Sequence, residues 1–202
     1  MRKVLIFLVF GWLTISCNLS NRQKLSVKQL TDSAASITKD YTDTTKYTDA
    51  IKLFKQAILL DSNDFNSYCK KYFLEFSLGH FMEAEQTLSK LIKFRPDSAE
   101  LHANYGFLQE FRNDTTESKK TFAKAILLYK ATLDTMNKKN PYWLYYWRMS
   151  AICTIMMGQE KVVHDLLKEN CKTPFDSSFY DIKTLSKTKA EILQTIKSKY
   201  SR

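Results

Sequence analysis

Small and bulky apolar residues recur along this chain at an interval of 34 residues. Ala50, Ala84 and Ser118 stand on one such ladder. Phe54, Leu88 and Phe122 stand on a second, four residues further on, and Ala57, Leu91 and Ala125 on a third. The tetrapeptide Ala57-Ile58-Leu59-Leu60 returns intact at Ala125-Ile126-Leu127-Leu128. Offsets of four and then three put these positions on one face of an α-helix. A small–large–small face repeated at this period is what stacked helix pairs bury against one another. The pattern predicts an all-α array that offers a hollow side to other molecules.

Turn signals agree. Apart from Gly11 the glycines are Gly79, Gly106 and Gly158, and a residue without a side chain suits a turn or a close helix contact. Apolar spacing continues past the third block through Tyr129, Leu133 and Met136, so that helix is predicted to run on for two or three extra turns. Asn137-Lys138-Lys139-Asn140 should break it, with Asn140 as N-cap and Pro141 at the first position of the next helix. Beyond Pro174, Ser178 followed three residues on by Asp181 predicts a last helix. Its apolar stripe would be Ile182, Leu185, Ile192, Leu193 and Ile196, and it would cap the array.

These residues resemble tetratricopeptide repeats over about 31–171. Tyr68 and His102 match the bulky place early in the first helix of a repeat, and Gly106 and Ala151 the small place that follows. Gly79 and Gly158 match the turn, Pro96 the end of the repeat. The resemblance implies a helix-hairpin solenoid of about four helix pairs. Its repeats are 31–64, 65–98, 99–132 and 144–175, with an insertion at 130–140 and a capping helix within 176–202. Tyr41 falls in the first helix of the first repeat. The first helices fit less well, because Lys71, Tyr72 and Glu75 hold places usually given to Leu, a small residue and Tyr, and Gln109 replaces an aromatic.

The resemblance also implies a concave groove lined by the first helix of each pair. Here that face would carry Phe73, Phe76, Phe107, Phe111, Tyr145, Arg148, Ile152, Ile155 and Met156. Aromatic rings with an arginine are the residue types that concentrate binding energy at interfaces. The alternative is that some are core, or that the C-terminal helix already fills the groove. The Lys and Asn clamp of the chaperone-tail binders is represented by Asn104 alone, with Ala103 and Phe107 at the other places, so an apolar ligand is expected. Five of the six residues Tyr142-Trp143-Leu144-Tyr145-Tyr146-Trp147 are aromatic, and one helix face cannot bury them all. The surplus points to local packing, a partner, or a lipid interface.

The N-terminus has a different character. Arg2 and Lys3 precede an apolar run from Val4 to Ile15, the layout of an export signal and too short for a comfortable membrane span. Leu13-Thr14-Ile15-Ser16-Cys17 resembles a bacterial lipobox, which implies signal peptide 1–17 and a lipid on Cys17. Thr14 stands where that motif usually has Leu. Residues 18–30 read as a polar tether. The expected location is the bacterial cell envelope, lipid-anchored and periplasm-facing, or else secreted or soluble in the periplasm.

Composition narrows the chemistry. With 44% hydrophobic and 26% charged residues the chain is globular material, long enough at 202 residues for one continuous core. Its formal charge is +10, and removal of Arg2 and Lys3 would leave +8. Export argues against nucleic acid as the reason. If Cys17 carries lipid, Cys69, Cys153 and Cys171 remain, an odd set that reads as small buried hydrophobes. His80, His102 and His164 are scattered, without ligand spacing, so no metal or cofactor is expected. Glu83 and Glu110 sit among lysines and read as ion-paired solvent-face residues. No phosphate loop or nucleophile motif is visible, so neither catalytic residues nor a small-molecule substrate is expected. The function that follows is a membrane-tethered scaffold or assembly factor for a protein or peptide partner. The alternatives are an immunity-type lipoprotein that neutralises a toxin or hydrolase, or a peripheral membrane module.

Overall fold

A computed structural model of the chain describes residues 25–39, 43–170 and 182–200, and among them every regular element is helical. In chain order these are α1 (Val27–Ile37), a 3-10 turn (Thr44–Lys46), α2 (Tyr47–Leu60), α3 (Phe65–Ser77) and α4 (Phe81–Phe94). There follow α5 (Ala99–Phe111), α6 (Thr115–Thr135), α7 (Trp143–Met156), α8 (Glu160–Asn170), α9 (Ile182–Leu185) and α10 (Lys189–Tyr200). From α1 to α8 each helix packs mainly on its neighbours in the chain, which makes a tetratricopeptide-like helix-hairpin solenoid. Residues 1–24, including Cys17 with its expected lipid, lie outside the described residues, as do Tyr41 and the Ser178–Asp181 signal. Among the described residues no helix is long and apolar enough to cross a membrane.

Every residue of the three ladders is buried: Ala50, Phe54 and Ala57 on α2, Ala84, Leu88 and Leu91 on α4, Ser118, Phe122 and Ala125 on α6. The small residues let the next helix approach, and the bulky one fills the seam, each Phe or Leu contributing roughly 1.5–3 kcal/mol. Gly106 is the tightest such approach. A Cβ there would stand 2.8 Å from the Phe122 ring.

In the second, third and fourth pairs the turns between the helices share one backbone conformation. Gly79 (φ 72°) and Gly158 (φ 82°) are left-handed, and so is Asn113 (φ 62°), one period after Gly79. Asn tolerates this region, so the third turn keeps its geometry without glycine.

Three boundaries differ from the sequence reading. α1 begins at Val27, inside the segment read as tether, because Ser26 and Gln29 form a reciprocal capping box and Leu30 and Ala34 are buried. α7 begins at Trp143, not Pro141. The Asn140 carboxamide oxygen accepts from the Tyr142 N–H at 2.9 Å, which closes a turn before the helix starts. The C-terminal stripe spans two helices, α9 and α10. Thr188 and Glu191 exchange side-chain and backbone hydrogen bonds, a capping box that starts a new helix after Leu185. The long helix is as expected: α6 has 21 residues against 14 in α4.

Two out-of-pattern residues of α3, Lys71 and Glu75, form a buried polar cluster with Thr87 of α4. The Lys71 ammonium pairs with Glu75 at 2.6 Å and also donates to the Thr87 hydroxyl on α4, which donates in turn to Glu75 at 2.7 Å. A carboxylate sits where an apolar side chain is usual because all its demands are met within this helix pair.

Candidate functional site

The first helices of the second, third and fourth pairs, α3, α5 and α7, form the groove face. α10 lies along its C-terminal half. Ile192, Leu193 and Ile196 pack into the core cluster that contains Phe107 and Ile152. Lys189 Nζ pairs with Glu110 on α5 at 2.8 Å, and the Lys189 N–H donates to the Glu160 carboxylate at 3.3 Å. Further along, Lys197 Nζ stands 5.8 Å from the centre of the Phe111 ring. A residual cavity of about 290 Å³ remains under α10, among Phe107, Met149, Ile152 and Ile196.

The N-terminal half is open. One cavity of about 280 Å³ is lined by Tyr72, Phe73, Phe76, Asn104, Phe107 and Ile196. A second, about 310 Å³, is lined by Thr38, Phe54, Cys69, Lys70, Phe73 and Leu74. Phe73 belongs to both and is 47% exposed.

The expected groove residues therefore separate. Phe73 and Phe76 line the open half. Phe76 is half-buried, with Phe81 at 5.6 Å and Phe111 at 6.1 Å between ring centroids. Phe107 forms one wall of the open cavity but is itself buried, edge-on to Phe122 at 5.2 Å. Ile152 lies beneath α10. Tyr145 stands apart on the first turn of α7 beside Tyr146, and Arg148 is half-buried further along the same helix. Ile155 and Met156 are corrections. Both are fully buried, because α7 is enclosed by α6, α8 and α9.

Glu110 is a further correction. It is ion-paired, as expected, but buried and not on a solvent face: its carboxylate takes Lys189 and the Ser118 hydroxyl. His164 is half-buried, His102 bonds the Pro96 carbonyl oxygen at 2.8 Å and His80 is exposed. Sequence reasoning missed Cys69, Lys70 and Thr38. Cys69 was findable, since it holds the same place in α3 that Arg148 holds in α7, one that the repeat pattern assigns to the groove.

The chemistry of this surface is apolar contact. Among the described residues no group of three or more His, Cys, Asp or Glu side chains is placed to hold a metal ion. Burial raises the Cys69 thiol above its ordinary range and pushes Cys153 up to about 12. The Tyr129 hydroxyl is likewise raised by burial. None of these is poised as a nucleophile at neutral pH.

No family model matches the chain, and no curated protein matches it. Among solved structures it is similar to two crystal structures of MamA. One is 15% identical with a TM-score of 0.46, covering 87% of this chain and 77% of that one. The other is 15% identical with a TM-score of 0.47, covering 94% and 87%. It is also similar to PilW, a widely conserved type IV pilus biogenesis factor, at 16% identity and a TM-score of 0.46, covering 86% and 79%. Likeness at this level says nothing of partner or activity, and the solenoid stands on the chain's own packing.

Proposed function

We propose that this chain is a protein-binding scaffold that holds an apolar segment of a partner in the open half of its groove. Phe73 carries the reading. It is 47% exposed on the wall common to two apolar cavities, and a partner side chain in either cavity would cover it. Lys70 at the rim suits a segment that also carries a carboxylate. The C-terminal half is closed to the same ligand while α10 occupies it.

The proposal includes the anchor. Cys17 would carry the lipid that holds the scaffold in a bacterial envelope, on the strength of the Leu13–Cys17 motif. A photo-crosslinking residue at position 73, compared with one at the exposed Leu59, tests the groove in cells. A discrete adduct from position 73 alone is expected; the same adducts from both would sink the assignment. Detergent-phase partitioning that survives Cys17→Ser would remove the lipid from the account.

A further inference from the structure

The α6–α7 hairpin extends past the helix packed beside it. α6 has 21 residues and α5, packed against it across the Arg112–Asp114 turn, has 13, so α6 is longer by eight residues. At 1.5 Å per residue that is about 12 Å. The tip has a distinct composition. Lys138 and Lys139 are exposed, Tyr142 is 65% exposed and Tyr145 45%. Tyr142 and Tyr145, three residues apart, lie on one side of the first turn of α7. Trp143 is half-buried between them in sequence, with Lys138 Nζ 5.9 Å from its ring. Asp134 is the exposed acidic residue at the end of α6.

These rings are poor core residues and badly placed for the groove, so their exposure calls for another contact. Shape decides which. A peptide is gripped by a hollow, whereas a bilayer is flat and is met by a projecting point. Tyr and Trp settle at headgroup depth, and lysines beside them meet anionic phosphates. The charge of +8 that remains without Arg2 and Lys3 adds attraction towards such a surface.

We infer that the α6–α7 tip is a membrane-surface contact, in which Tyr142, Trp143 and Tyr145 enter the headgroup layer of an anionic bilayer and Lys138 and Lys139 pair with its phosphates. It is independent of groove binding.

The test uses the full chain with Trp12→Phe, so that the N-terminal apolar run contributes no tryptophan signal and the readout is local to the tip. Vesicles contain equal parts of phosphatidylcholine and phosphatidylglycerol, with bromine high on the acyl chains as a tryptophan quencher. Tryptophan emission should be quenched, and adding Trp143→Phe should remove most of that quenching while the bound fraction stays the same. Lys138→Glu with Lys139→Glu should cut the Trp143 quenching to the level seen on pure phosphatidylcholine. Equal quenching with and without Trp143, or no effect of the lysine reversals, overturns the inference. So does loss of a cross-linked protein in Tyr142→Ala/Tyr145→Ala with unchanged vesicle quenching, which would make the tip a protein interface.

Discussion

Lys189, in the first turn of α10, pairs at 2.8 Å with Glu110 in the last turn of α5, whose carboxylate is only 4% exposed. The contact joins the C-terminal helix to the middle of the solenoid. It places charge, and not only the Ile192–Leu193–Ile196 stripe, in control of where that helix lies. A carboxylate so far from water needs its cation, and the Ser118 hydroxyl supplies the remaining hydrogen bond.

Lys189→Met should therefore cost about 3 kcal/mol of unfolding free energy, the low end for breaking a buried pair, because the lysine keeps some solvent access. Adding Glu110→Gln should recover part of the loss by removing the stranded charge. Urea denaturation of the two variants checks this. Hydrogen exchange should rise first in residues 189–200, and unchanged exchange there would show that the apolar stripe alone holds α10.

Gly106→Ala should destabilise by about 1–3 kcal/mol, since the new methyl meets the ring of Phe122, which is buried and has nowhere to go. A thermal melt identical to the parent would mean that α5 and α6 can separate without loss.

The left-handed turns predict an asymmetry. Gly158→Ala meets no neighbouring atom yet should cost about 1 kcal/mol from its φ of 82° alone. Asn113→Gly should change stability by less than about 0.5 kcal/mol, because the turn already has the glycine conformation. Equal losses at both sites would contradict a shared turn.

In a Cys17→Ser/Cys171→Ser background at pH 8, a thiol reagent should modify Cys69 first. Cys69 is half-buried on a cavity wall. Cys153 is buried, and with its pKa pushed up to about 12 the thiol stays protonated four units below that value. Its labelling should follow global unfolding in denaturant; rapid native-state labelling of Cys153 would show that α7 opens locally.

Two phenylalanines separate binding from stability. Phe107→Ala should cost about 3–5 kcal/mol, because its ring is buried against Phe122. Phe73→Ala should leave the melting point nearly unchanged and abolish the position-specific partner adduct. Similar melting losses in both would make Phe73 structural.

The 34-residue ladder was legible in sequence because helix burial is periodic and local. Ala50, Phe54 and Ala57 announce a buried face whatever lies opposite, and each repeat restates it. The turn glycines and the long α6 were legible for the same reason. The groove was not. Whether Phe73, Phe107 or Ile155 meets solvent depends on α9 and α10, which return from the far end of the chain, and no local pattern encodes that return. Glu110 shows the difference most plainly. Among lysines in sequence it reads as a surface charge, but its partner Lys189 is brought to it only by the folded chain. Periodicity determined which faces the helices bury; long-range packing alone decided which of the remaining faces stay open.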